Sequence, residues 1–356
     1  MNKRRATIKP HQAVSLLALL CALLSTAAPL QAKVDDGHEQ RVLFLEAKKA
    51  LERGDYEVFG RNIQKLQEYP LYPYLSYWQL RDKLGEQPAA TIEAFLINYK
   101  KLPIASRLRS AWLKRLAKEE RWAEFLHFYR GGGTTMKCRM HTAQLKTGQK
   151  KKAWAGAKKL WLVGKSQPAQ CDELFKAWEE AGGISSKLRW QRIELSMRRG
   201  NTSLARHIAK KLNKKEREQV TLWRRVYNDP TLIERSELLK ADRKLNRNII
   251  THGLKRLARK DAEKAARLWS KISGKYRFTS EQSDAITRKI ALNYAYDGDQ
   301  RALIWFAQLP TKAIQQKERT WATRVALRHS NWKAARAWIN AMPVAERQSV
   351  TWQYWL

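Results

Sequence analysis

Asn201-Thr202-Ser203-Leu204-Ala205-Arg206-His207-Ile208-Ala209-Lys210-Lys211-Leu212 reads as one short amphipathic helix. Asn201 suits the N-cap, because its side-chain oxygen can accept from a backbone N–H that every helix start leaves unpaired. Ala205, Ile208 and Leu212 follow four, seven and eleven residues on, which places them on one stripe and leaves Lys and Arg to the opposite face. The pattern returns from Asp261 with Ala265, Leu268 and Ile272, and from Asn331 with Ala335, Trp338 and Met342. It returns again from Asp299 with Leu303 and Phe306, where Leu309 takes the last role early. Pro310 and Pro343 stop two of these helices. Asp55 with Phe59, Ile63 and Leu66 fits more loosely, as does the segment after Gly148 with Ala153, Ala157 and Leu160.

Strand signals are missing: there is no Asn-Gly hairpin turn and no sustained alternation of β-branched with polar residues. A helix pair with one apolar face cannot bury that face alone and must stack on its neighbours. The expected fold is therefore all-α, a right-handed superhelical solenoid of stacked helix pairs resembling tetratricopeptide arrays. Breaks are expected at Gly131-Gly132-Gly133-Thr134-Thr135, Gly182-Gly183 and Asn228-Asp229-Pro230. None is long enough for an interdomain linker, so residues 33–356 read as one continuous domain.

The 356 residues carry 70 Lys+Arg against 33 Asp+Glu, a formal charge of +37, with 15 Trp and only 16 Gly. This excludes a disordered tail, a collagen-like fibre and a disulfide-dense miniprotein. The charge implies an anionic partner: nucleic acid, acidic phospholipid or acidic wall polymer. No apolar run is long enough for a stable membrane span, so no stable membrane insertion is expected. The basic residues are scattered from Lys48 to Arg347 on helix faces, the pattern of a solvated surface.

Residues 1–32 read as a cleaved signal peptide. Lys3, Arg4, Arg5 and Lys9 form its positive head, Ala13 to Leu24 its apolar stretch, and Leu30-Gln31-Ala32 a small-residue cleavage point. The alternative is a short retained anchor, for which the apolar stretch lacks length and flanks. Cys21 is not read as a lipidation site, because Ala18-Leu19-Leu20 lacks the small residue wanted beside it. Export leaves Cys138 and Cys171, an even pair in a compartment where disulfides persist; they are expected to be bonded, the alternative being two free buried thiols. Export also counts against nucleic acid as a partner.

No catalytic candidate emerges. The histidines form no His-Glu-x-x-His pair and the cysteines no zinc spacing, so neither metal nor cofactor is expected. Gly164-Lys165-Ser166 imitates the end of a phosphate loop, but Lys159 stands where the upstream glycine is required. Glu119-Glu120 and Glu179-Glu180 read as surface charge. Trp154, Trp161, Trp269, Trp305 and Trp338 lie on the apolar stripes and are expected to pack between helices. Tyr69-Pro70-Leu71-Tyr72-Pro73-Tyr74-Leu75, with Tyr77 and Trp78, is harder to fit on one stripe. A packed proline-rich corner is the first reading of it. The second makes Tyr72, Tyr74, Tyr77 and Trp78 candidate glycan-contacting aromatics.

Specific strings add a resemblance. Thr147-Gly148-Gln149, Ala153-Trp154-Ala155-Gly156-Ala157-Lys158, Leu160-Trp161-Leu162 and Gly164-Lys165-Ser166-Gln167-Pro168, leading to Cys171-Asp172 and Leu174-Phe175, resemble the N-terminal superhelical domain of the soluble lytic murein transglycosylases of Gram-negative bacteria. The tyrosine-proline run, Gly200-Asn201-Thr202, Asp261-Ala262-Glu263, and Trp352 with Tyr354-Trp355 follow in the same order. The resemblance implies a periplasmic protein acting on peptidoglycan glycan strands. That family cleaves the MurNAc–GlcNAc bond without water, leaving 1,6-anhydro-muramoyl ends, and bonds two cysteines matching Cys138 and Cys171. Its catalytic glutamate lies in a C-terminal lysozyme-like domain, in a Glu-Ser motif followed by Gly-Leu-Met-Gln. Neither motif occurs here.

Three readings result. The chain is the scaffold portion of a transglycosylase whose lysozyme-like catalytic domain is missing or separately encoded; or a stand-alone basic glycan-binding or scaffold solenoid; or, remotely, an exported nucleic-acid binder. Trp352, Tyr354, Trp355 and Leu356 read as an apolar end without partners, which favours the first.

Overall fold

The computed structural model describes residues 36–356; the signal-peptide reading and Cys21 lie outside them. Helix is the regular structure of the described residues, with no strand among them, and they form two compact units, residues 36–129 and 130–356. The boundary falls just before the Gly131-Gly132-Gly133 run.

The first unit holds α1 (Asp36–Glu52), α2 (Tyr56–Gln64), α3 (Tyr72–Asp82), α4 (Ala89–Asn98), α5 (Pro103–Lys118) and α6 (Trp122–Phe128). Phe44, Ala47, Leu51, Phe59, Leu66 and Leu75 join α1–α3 in one apolar cluster. Ile92, Phe95, Leu108, Trp112, Leu116 and Phe125 are buried on α4–α6.

The second unit begins with α7 (Thr134–Lys146), α8 (Lys150–Trp161), α9 (Asp172–Glu180), α10 (Ser186–Arg198), α11 (Thr202–Ala209) and α12 (Lys214–Asn228). It continues with α13 (Leu232–Arg235), α14 (Lys244–Lys260), α15 (Ala262–Ile272), α16 (Ser280–Tyr296) and α17 (Arg301–Ala307). The last are α18 (Gln316–Arg328), α19 (Trp332–Asn340), α20 (Val344–Arg347) and α21 (Val350–Gln353). Within this unit α10, α12, α14, α16 and α18 pack in series, and α11, α15, α17 and α19 each lie beside their chain neighbours. That is the stacked helix-pair arrangement of an α-solenoid. A continuous core from Ile193 to Val325 runs through it, with Trp223, Ile250, Leu254, Ile286 and Phe306 buried.

The repeated template has a physical basis in its turns. Asn201, Asp261 and Asn331 accept from the backbone N–H groups of Leu204, Lys264 and Ala334, and Asp55 does the same for Val58. The stripe residues Ala205, Ile208, Leu212, Ala265, Leu268, Ile272, Ala335 and Met342 are all buried. Asp299 departs from the expectation: α17 starts one residue later, with Gln300 in the N-cap position but making no side-chain cap bond, and the Asp299 carboxylate instead accepts from the backbone N–H and the guanidinium of Arg301. Gly54, Gly200, Gly298 and Ser330, each just before a template position, have φ of 74°, 76°, 71° and 52°. The left-handed residue turns the chain out of one helix so that the next side chain can cap the following one.

The chain end also differs from its reading. Trp352 is buried against Ile339 and Met342, because α21 folds back on α19. Tyr354, Trp355 and Leu356 stay exposed.

Candidate functional site

The tyrosine-proline run forms a packed corner at the start of α3. Pro73 stands in the first turn, where its missing N–H costs nothing. Tyr69, Tyr72 and Trp78 pack on the α1–α3 cluster, Phe44 lying 5.6 Å from Tyr69 and 6.0 Å from Trp78 between ring centroids. Tyr77 is buried, and its hydroxyl accepts from Arg81 Nη1 at 3.0 Å. Trp78 lines a shallow depression of about 480 Å³ with Lys48, Glu52 and Arg81, whereas Tyr77 lines a separate one of about 490 Å³ with Arg107 and Lys114. Tyr72 and Tyr74 line neither, so the four aromatics do not converge on one cavity.

The second unit places more chemistry together. Cys138 on α7 is bonded to Cys171, which stands just before α9 in its N-cap position, with Cα atoms 4.9 Å apart. The disulfide sits in a core of Ala153, Ala157, Leu174, Phe175 and Trp178. Two glycines of the quoted strings are explained by close approach: a side chain at Gly156 would collide with the His141 ring, and one at Gly164 with the Leu195 carbonyl of α10. The Gly164-Lys165-Ser166 string is thus a packing turn.

Between α8, α9, α10 and α11 lies a cavity of about 640 Å³ whose lining includes Trp161, Gln167, Phe175, Arg192, Leu204 and Ile208. Arg192 is only 4% exposed and holds its guanidinium 3.9 Å from the Trp161 ring centroid. Burial pulls its pKa down to about 10, which leaves it charged at neutral pH. Its Nε has no hydrogen-bond partner; neither have Trp161 Nε1 and Gln167 Oε1. At the rim Arg189 is paired with Glu179 at 2.7 Å, and Lys211 lies 3.7 Å from the same carboxylate.

A smaller cavity of about 280 Å³ is lined by Trp223, His252, Lys255, Arg198 and Gln282. His252 Nδ1 accepts from Trp223 Nε1 at 3.0 Å, which fixes the ring as a neutral acceptor. Burial, then the charges of Lys255, Arg256, Arg259 and Arg198, hold its pKa at about 4.

General-acid work on a glycan needs a carboxyl whose pKa is raised. The described carboxyls with displaced ionisation all move downward: Glu119, Glu216, Asp229, Asp242, Glu281 and Asp299. Among the described residues no cluster of His, Cys, Asp or Glu could hold a metal, and no helix is long and apolar enough to cross a membrane.

The sequence reading missed Arg192, Gln167 and His252 as a group. Arg192 did leave a trace: it stands four residues after Leu188 and four before Ser196, a cation where the inward stripe of α10 asks for an apolar residue.

Comparison with known proteins adds homologues. The chain is 29% identical over 346 residues to the soluble lytic murein transglycosylase of Escherichia coli K12, covering 96% of this chain and 53% of that protein. The Salmonella typhimurium enzyme gives 29% over 330 residues, covering 91% and 51%. An inactive variant of the Pseudomonas aeruginosa lytic transglycosylase superposes with a TM-score of 0.76 at 33% identity, over 88% of this chain and 51% of that one. The chain is homologous to the soluble lytic murein transglycosylases. It spans about half the length of these transglycosylases. The 70-kDa soluble lytic transglycosylase in complex with bulgecin A superposes over 89% of this chain with a TM-score of 0.74 and 28% identity. A family described as Cucumovirus coat protein matches residues 136–225, a quarter of the chain. Those residues are mostly helical here and lie inside the stretch that the transglycosylases match.

Proposed function

We propose that this chain is the helical scaffold portion of a soluble lytic murein transglycosylase, exported to the periplasm and directed to peptidoglycan glycan strands, and inactive in glycan cleavage on its own. The carrying observation is the coverage: nearly all of this chain aligns with about half of each transglycosylase in both sequence and structure. The downward displacement of the carboxyl ionisations supports the second part, since none of those six groups is poised as an acid near neutral pH. The complete enzyme would cleave the MurNAc–GlcNAc bond to a 1,6-anhydro end through a lysozyme-like domain, with this portion holding the strand or the domain in place. The excess of Lys and Arg suits strands that carry carboxylates. Of the four aromatics Tyr77 is buried while Tyr72, Tyr74 and Trp78 are half-buried, and Trp78, which lines an open depression beside Lys48 and Arg81, is the one best placed to meet a sugar ring.

The test is a chimera in which this chain replaces the matching half of the Escherichia coli enzyme. Release of anhydro-muropeptides from sacculi by the chimera, and none by this chain alone, is expected. A folded chimera without activity would overturn the scaffold reading.

A further inference from the structure

The geometry points to a second kind of site: we propose that the cavity between α8, α9, α10 and α11 binds the carboxylate of a small, partly apolar molecule, as the C-terminal end of a short peptide presents it. This does not rest on the transglycosylase reading.

The argument begins with a charge that is not matched. Burying a guanidinium is costly unless it is paired and hydrogen-bonded. Arg139, Arg224 and Arg256, which are half-buried, also keep one nitrogen without a partner, but Arg192 is the one arginine among the described residues that lies in the core, and three less buried ones show how the cost is ordinarily met. Arg319 meets Glu346 at 2.6 Å, Arg189 meets Glu179 at 2.7 Å, and Arg247 meets Asp242 at 2.5 Å. Arg192 is more deeply buried than these, yet no described carboxylate or carbonyl receives its guanidinium. Stacking on Trp161, with Phe175 5.8 Å away, compensates one face of the ion only. Its edge is left to the cavity it lines, and a planar five-donor fork is matched in shape by a carboxylate.

The rest of the cavity defines the body attached to that carboxylate. Trp161, Phe175, Leu204 and Ile208 supply apolar walls, and about 640 Å³ lies within the range of small-molecule pockets. Gln167 is held by its Nε2, which donates to the Leu160 carbonyl at 2.9 Å, while its Oε1 has no donor. Lys176, Arg189, Lys210 and Lys211 line the cavity with Asp172 and Glu179, so its net charge is positive and suits an anion, while the two acids leave a place for the N–H groups of a peptide and the apolar walls favour it over bare phosphate.

The experiment is isothermal titration of the whole chain with L-alanyl-L-phenylalanine, with its C-terminal amide, and with inorganic phosphate. The free dipeptide should bind, the amide about tenfold or more weakly because only the carboxylate has been removed, and phosphate more weakly than the dipeptide. Arg192→Met, which keeps an apolar stem over the indole, should lose the dipeptide's advantage over its amide; Arg192→Lys should keep part of it. Equal binding of dipeptide and amide to the wild-type chain would overturn the proposal without any variant. So would tighter binding of phosphate, no heat with the dipeptide, or a folded Arg192→Met chain that still prefers the carboxylate.

Discussion

Cys138 and Cys171 are bonded with their Cα atoms 4.9 Å apart, so the inner face of α7 is fixed to the N-cap of α9. The bond closes a sequence separation of 33 residues that contains all of α8. In the chain-entropy account such a loop stabilises the fold by about 3–4 kcal/mol. Reduction, or replacement of both cysteines by alanine, should lower the denaturant midpoint accordingly. An unchanged midpoint after verified reduction would show that the bridge carries no stability here.

His252 makes stability depend on pH. Its imidazole takes up a proton at about 4 in the folded chain and at about 6.5 when unfolded, so between these values the unfolded state binds more protons. The contribution of the neutral ring is complete above about 6.5 and is lost as pH falls towards about 4, amounting to roughly 3 kcal/mol. His252→Gln keeps an acceptor for the Trp223 indole but does not titrate. Its stability should fall less steeply over that interval; identical slopes in urea titrations at several pH values would contradict the assignment.

Ser330 occupies the left-handed position that glycine fills before Asp55, Asn201 and Asp299, with φ of 52°. A side chain there strains the backbone, although glycine adds freedom to the unfolded chain. Ser330→Gly should therefore raise stability by about 0.5–1 kcal/mol, a rise of a few degrees in Tm. A lower Tm would mean that the turn before α19 is held by something other than its backbone conformation.

The helical stripes were legible because their period is local: Ala205, Ile208 and Leu212 declare a buried face whatever they pack on. The caps at Asn201, Asp261 and Asn331 were legible for the same reason. Asp299 was misplaced because its carboxylate found the Arg301 guanidinium, a competitor that a cap template does not weigh. Trp352 was misread because α21 is a short helix whose direction of return is set by Ile339 and Met342 and not by its own residues. Of the sites, the corner around Tyr77 and Trp78 could be named in advance but not divided into buried and open rings. Arg192 draws its significance from Trp161, Phe175 and Leu204 on three other helices, and no spacing along the chain states that convergence.

The central claim is tested most directly by incubating the purified chain with isolated peptidoglycan sacculi and recording both the sedimented fraction and any anhydro-muropeptides released. Sedimentation without release is the expected result, that of a glycan-directed scaffold separate from its catalytic domain. Release of anhydro products by this chain alone, or failure of the folded chain to sediment with sacculi, would contradict it.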